Sequence, residues 1–328
     1  MKRTLLASAL SAMLLVCLSP EVSDSAFAAA ADSKKPGVAH HIKTVFIILM
    51  ENHNWTGDGD KSIDGKPRAP YINSTLIPMG SHAEQYYNPP GVHPSLPNYL
   101  WLEAGTNFGI HGDGLPKMFA QNTTDHLVTY LDNAGISWKA YLEDMPRGRC
   151  PLKNLGKVNA SGNRSFAVRH EPFAYFNDVT DNQNPLSPKC IAHLRPFKEM
   201  AKDLRSNTVS RYNFITPNLC DDMHDGCKTG NVRNGDEWLA ANVPQILRSQ
   251  AYKDGGVLFV AFDEANTGDG PIPLIVLSPF AKGHGYSNSL PYTHGSMLRT
   301  IQEIFGVTPL LGDAANQQDL RDLFTTFP

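Results

Sequence analysis

The chain has 328 residues, 41% hydrophobic and 19% charged, ordinary globular material for one large domain or two small ones. Its formal net charge of −3 gives no basic face, which argues against nucleic acid as the main partner. Nothing after the first eighteen residues has the length and apolarity of a membrane span.

The N-terminus reads as a secretory signal. Lys2-Arg3 is followed by the short uncharged run Leu5–Leu18 and the small-x-small site Ala26-Phe27-Ala28, with Ala30 as a later end. Residues 1–28 are therefore expected to be removed, leaving 31–328 as a single domain of an exported protein, secreted or periplasmic. Four cysteines then remain: Cys150, Cys190, Cys220 and Cys227. An even number in an oxidising compartment implies two bridges; three pairings exist, and spacing favours Cys150–Cys190 and Cys220–Cys227.

Residues 31–40 form a lead-in. Thr44–Met50 is a run of apolar, largely β-branched residues and predicts a strand buried on both faces. It delivers Glu51 and Asn52, two oxygen ligands, to a strand's carboxyl end, where ligands collect in open α/β sheets. A helix is expected to begin in Ala69–Leu76 and to lead into a strand within 81–87. In His93-Pro94-Ser95-Leu96-Pro97-Asn98, Ser95 fits a helix N-cap and Pro97 the first turn. A hydroxyl there sits beside unpaired N–H groups that favour an alkoxide and bind phosphate oxygens; a plain capping serine is the competing reading.

Ile136–Leu142 predicts a strand. Residues 145–190 are rich in Pro, Asn, Gly and Arg, without a clean period, and read as an excursion closed by Cys150–Cys190. Arg147, Arg149, Arg164, Arg169 and His170 in it read first as solvated charges and second as anion contacts. Tyr212–Thr216 is a further strand, followed by a loop carrying Asp222, His224 and Asp225, which a Cys220–Cys227 bridge would pin. A helix is expected over 235–252, a neighbouring strand over Ile272–Leu277, a helix within Tyr292–Gly306 with His294 just before its first turn and a stop at Gly306, and a second buried strand over Gly256–Phe262. The second buried strand also ends in acids, Asp263-Glu264. Alternating strands and helices predict an α/β fold, a mostly parallel central sheet with helices on both faces.

Oxygen ligands beside a serine suit a hard cation and phosphoryl transfer. A Ser-His-Asp acyl hydrolase competes, but no G-x-S-x-G elbow occurs. The segments Met50–His53, His93–Leu100, Pro217–Gly226, Phe262–Glu264 and His294–Gly306 together resemble the bacterial phosphoesterase family, from about residue 43 to 308. That family holds short secreted acid phosphatases and phospholipases C.

The resemblance implies an alkaline-phosphatase-like fold. It also implies one divalent or trivalent metal ion on Glu51, Asn52, Ser95, Asp263 and Glu264, with Ser95 the phosphorylated nucleophile and His224 the phosphate-binding or proton-donating residue. His93, Asn98, Asp222, Asp225 and His294 are expected around the substrate. The expected activity is hydrolysis of phosphate monoesters, phosphoinositides included. A phospholipase C-type phosphodiesterase and an inactive exported metal- or anion-binding protein are the alternatives. The sequence is silent on oligomeric state.

Overall fold

A computed structural model describes residues 40–328; the expected signal and most of the lead-in lie outside them. Among the described residues are twelve strands: β1 Thr44–Met50, β2 Ser81–Ala83, β3 Tyr86–Tyr87, β4 Trp138–Leu142, β5 Leu155–Val158, β6 Arg164–Phe166, β7 Leu194–Pro196, β8 Tyr212–Thr216, β9 Gly256–Phe262, β10 Leu274–Leu277, β11 Tyr286–Asn288 and β12 Tyr292–Thr293. Eight build one sheet in the order β11-β2-β10-β9-β1-β8-β4-β7. The strands from β9 to β7 run parallel, while β10 is antiparallel to β9 and to β2.

β1 lies at the centre, paired with β9 over its whole length and with β8 on the other side. Every residue of β1, β8 and β9 is buried. That requires cover on both faces, which is why these strands read as unbroken apolar runs rather than as alternations. The carboxyl ends of β9, β1 and β8 therefore open side by side, and three loops meet there.

Several boundaries differ from the sequence expectation. Ser95 is the first residue of the Ser95–Ala104 helix, not its cap: Pro94 flanks the helix, and the serine hydroxyl turns elsewhere. The helix expected over 235–252 runs from Asn231 to Arg248, with a separate turn at Gln250–Lys253. The strand expected from Ile272 begins at Leu274. The 69–76 segment is a wide turn, Ile72–Leu76, continuing to Met79, and Asp236 caps it by accepting from the Tyr71 and Ile72 N–H groups at 3.0 and 2.9 Å. The last long helix spans His294–Phe305; Thr293 and Ser296 close a reciprocal capping box at its start, and Gly306 stops it in the left-handed conformation.

The 145–190 excursion folds as short turns and the β5–β6 hairpin. Both bridges pair as spacing favoured, Cys150–Cys190 and Cys220–Cys227.

Candidate active site

Glu51 is the hub. It leaves β1 fully buried, and its backbone N–H is held by the Asp222 carbonyl at 2.8 Å. The Ser95 hydroxyl donates to Glu51 Oε2 at 2.9 Å and the Tyr99 hydroxyl to Oε1 at 2.7 Å. Serine and tyrosine are four residues apart on one helix and so share the face turned toward the sheet. His170 Nε2 stands 3.2 Å from Glu51 Oε1, while its Nδ1 lies 3.1 Å from Asp222 Oδ2.

On the β9 side, Asp263 Oδ1 accepts the Asn52 N–H at 3.1 Å. Asn52 is held at a φ of 48°, a left-handed conformation that asparagine tolerates better than most residues. Two buried acceptors here, Asn52 Oδ1 and Asp263 Oδ2, have no hydrogen-bond donor among the described residues. Buried polar atoms are normally partnered, so these oxygens together with Glu51 and Ser95 form a hard, anionic donor set that fits a cation. Glu264 is next in sequence, and its Oε2 is held by His93 Nδ1 at 2.5 Å and Asn98 Nδ2 at 3.2 Å.

The electrostatics agree. Burial first, then the charges of Asp263 and Asp222, push the Glu51 carboxyl well above the usual carboxylate range. Burial raises Asp263 to about 6 and, with Asp263 beside it, Glu264 to about 9. Asp222 is raised well by burial and by Asp263. His170 is driven well below the usual imidazole value by burial, then by Arg169 and His224. An acid cluster of this kind is short of positive charge. A second constellation overlaps it: one Glu51 oxygen and one nitrogen each of His170 and His224 lie within 4.8 Å of one another and could also hold a metal.

The remaining residues expected around the substrate divide by position. His93 stands at the rim, its Nε2 3.1 Å from Asp269 Oδ1, beside an open cavity of about 480 Å³ lined also by Asn52 and Glu264. Asn98 is fully buried and donates to the Val92 carbonyl at 3.0 Å as well as to Glu264. Asp222 is buried against His170 and accepts the His224 N–H at 2.8 Å. Asp225 spends both oxygens on Asn159, Asn163 and His224. His294 points inward, between the Tyr86 hydroxyl at 2.6 Å and the Asp263 carbonyl at 2.5 Å, and burial lowers it to about 4.

Tyr99 was not named from the sequence, and Arg169 and His170 were read there first as solvated charges and only second as anion contacts. Tyr99 carried a signal, its i+4 spacing from Ser95. His170 and Arg169 carried little, because only the folded excursion brings them to β1.

Residues 80–308 match the Phosphoesterase family, and the chain belongs to it. It is a hydrolase acting on phosphoric ester bonds. It is 27% identical over 302 residues to the phosphatidylinositol-3-phosphatase of Mycobacterium tuberculosis, a match covering 90% of this chain and 85% of that one. It is 28% identical over 226 residues to the phosphate-repressible acid phosphatase of Penicillium chrysogenum, covering 67% of this chain and 51% of the relative, so it spans about half that protein's length. Among solved structures, human ectonucleotide pyrophosphatase/phosphodiesterase 5 superposes with a TM-score of 0.52 at 10% identity, over 86% of this chain and 100% of that one. That likeness is one of fold, the α/β architecture around a mostly parallel sheet.

Proposed function

We propose that this chain is an exported, metal-dependent acid phosphatase that hydrolyses phosphate monoesters through phosphorylation of Ser95. The observation that carries the reading is the Ser95 hydroxyl at a helix start, hydrogen-bonded to Glu51 beside two donorless buried oxygens. Two disulfides suit an oxidising compartment. No helix among the described residues is long and apolar enough to cross a membrane.

In this reading Glu51 orients the Ser95 hydroxyl, takes up its proton as the oxygen attacks phosphorus, and returns it when water displaces the serine oxygen. The positive dipole end of the helix favours the developing negative charge, although the Leu96 N–H is spent on Asp113 and Pro97 has none. A cation on Glu51, Asn52, Ser95, Asp263 and Glu264 would supply polarisation of a phosphoryl oxygen and a lower serine pKa.

His224 turns Nδ1 to Asp225 at 2.8 Å, which leaves Nε2 toward the site. Protonated there, it gives its proton to the leaving alkoxide; neutral again, it takes one from the water that attacks phosphoserine. Asp225 fixes the ring and stabilises the imidazolium. The match over 85% of the phosphatidylinositol phosphatase supports a monoester, with a phosphoinositide as one substrate to try.

The test is hydrolysis of a chromogenic monoester and of phosphatidylinositol 3-phosphate, with a choline phosphodiester alongside, before and after chelation. Ser95→Ala should abolish turnover with the fold intact; residual activity above a few per cent, on the order of what water attack sustains, would remove the serine from its role. Preferential cleavage of the diester would favour a phospholipase C. Asp263→Asn should lower metal content in the purified protein, and full occupancy would move Asp263 away from the ion.

A further inference from the structure

Arg169 comes from the irregular excursion, yet it reaches the hub. Its Nη2 lies 3.2 Å from His224 Nε2, and its Nε forms an ion pair with Asp113 Oδ2 at 3.0 Å without being hydrogen-bonded to it. The other oxygen of Asp113 accepts the Leu96 N–H at 3.1 Å, the backbone donor immediately after Ser95. Asp113 thus ties the guanidinium to the start of the Ser95 helix. The Arg169 side chain remains 17% exposed, so its fork is not closed off by the core.

We propose that Arg169 is a further catalytic residue, a guanidinium that clamps the non-bridging oxygens of the phosphoryl group during transfer to and from Ser95, and that Asp113 is its positioning residue. The inference rests on the phosphatase reading above. A planar guanidinium drawn to Asp113 by charge, with Nη2 turned to His224, presents a fork that suits two equatorial oxygens of a trigonal phosphoryl group. Three elements then surround one spot: Ser95 at its helix start, His224 on the pinned loop, and Arg169 from the excursion. In the resting protein His224 Nε2 accepts from Arg169. An entering phosphoryl oxygen would take over that N–H, and the freed His224 Nε2 would take up a proton from water and pass it to the leaving group. The clamp and the proton carrier would therefore be engaged by the same event.

The experiment measures kcat, KM and inhibition by vanadate, a mimic of pentavalent phosphorus, for wild type, Arg169→Ala, Arg169→Lys and Asp113→Asn. Arg147→Ala serves as a control, since Arg147 pairs with Glu199 and is largely exposed. Arg169→Ala should lose about 10²–10³ in kcat and a similar factor in vanadate affinity, as removal of a transition-state donor does. Arg169→Lys, which keeps the charge without the fork, should lose about tenfold less, and Asp113→Asn about tenfold in all through loss of aim. The control should stay within about twofold, as an exposed charge away from the site does.

Melting temperatures of all variants accompany the kinetics. If Arg169→Ala folds and binds vanadate within threefold of wild type, the clamp is disproved while the phosphatase reading stands. The clamp also fails if Arg169→Ala does not fold and Arg169→Lys matches wild type in both kcat and vanadate inhibition. A wild type that neither cleaves monoesters nor responds to vanadate would sink the phosphatase reading, and this inference with it.

Discussion

His126 and His170 are both buried imidazoles set between two carboxylates, and they behave in opposite ways. His126 lies 2.8 Å from Glu103 Oε1 and 3.0 Å from Asp178 Oδ1, with its ring stacked on Phe176 at 3.9 Å. The carboxylates have further donors: Glu103 takes the Val128 N–H at 2.8 Å, and Asp178 takes the Thr129 hydroxyl at 2.6 Å and faces Lys189 at 3.6 Å. Burial opposes charge on His126, but the hydrogen bonds to Asp178 and Glu103 outweigh it and raise its pKa. Burial also opposes charge on Asp178, yet His126 and the other partners hold it at about 2.

Around His170 the acids outnumber their donors. Burial raises the pKa values of Glu51, Asp222 and Asp263, and for Glu51 and Asp222 the charge of Asp263 adds to it. The first cluster is an ion network with one gap, the donorless Glu103 Oε2, that joins the Ser95–Ala104 helix, the Leu127–Asn133 helix and the excursion. The second is incomplete, which is the condition of a site built to receive something charged. Burial of charge does not distinguish the two; the balance of partners does.

The strongest way to break this comparison is to remove each histidine. His170→Gln should reduce turnover about ten- to a hundredfold, the range for groups that orient ligands, with little change in melting temperature. His126→Gln should leave turnover near wild type and destabilise the fold by about 3–5 kcal/mol, the usual result of breaking a buried ion pair. Paired thermal melts and initial rates decide it, and a reversal of the two outcomes would mean the roles have been exchanged.

The pH dependence sharpens the same contrast. A histidine whose folded pKa is raised contributes fully below its unfolded value of about 6.5, and the contribution fades as pH rises through the folded pKa. The gap in melting temperature between wild type and His126→Gln should therefore be widest near pH 5–6 and narrow in alkaline buffer. A gap independent of pH would show that packing on Phe176, not charge, holds this joint.

The smallest effect is expected at Glu51. Its raised pKa means that, without metal, the folded state is penalised above the unfolded carboxyl value of about 4.5. Glu51→Gln should thus melt about 2–4 °C higher than wild type at pH 7 in chelator, with no gain at pH 4. No difference at either pH would show that the wild-type core already relieves the charge.

How much of this was legible in sequence follows from where the information is local. β1, β8 and β9 announce themselves as apolar runs because each is covered on both faces, and Glu51 and Asp263 follow directly at their ends. The antiparallel sense of β10 was not readable, since a buried four-residue strand has the same pattern in either direction. Ser95 was legible as a helix-start residue, but the direction of its hydroxyl depends on Glu51, 44 positions away. His170 and Arg169 lie in a stretch with no period. Only the closure of that excursion over the sheet converts two ordinary polar residues into neighbours of the hub.

The β5–β6 hairpin carries one more consequence. Asn159 and Asn163 give their amide nitrogens to Asp225, which in turn holds His224. Both asparagines stand in acceptor sequences for sugar attachment, Asn159-Ala160-Ser161 and Asn163-Arg164-Ser165. A glycan is joined through that same amide nitrogen, so production in a glycosylating eukaryotic host should yield folded protein with a misaimed His224. Mass spectrometry of the secreted product, with rates compared against Ser161→Ala/Ser165→Ala from the same host, checks this: modified protein that is as fast as the sugar-free variant would show that the Asp225 grip is dispensable. For this hydrolase the choice of expression host is thereby a perturbation of the active site.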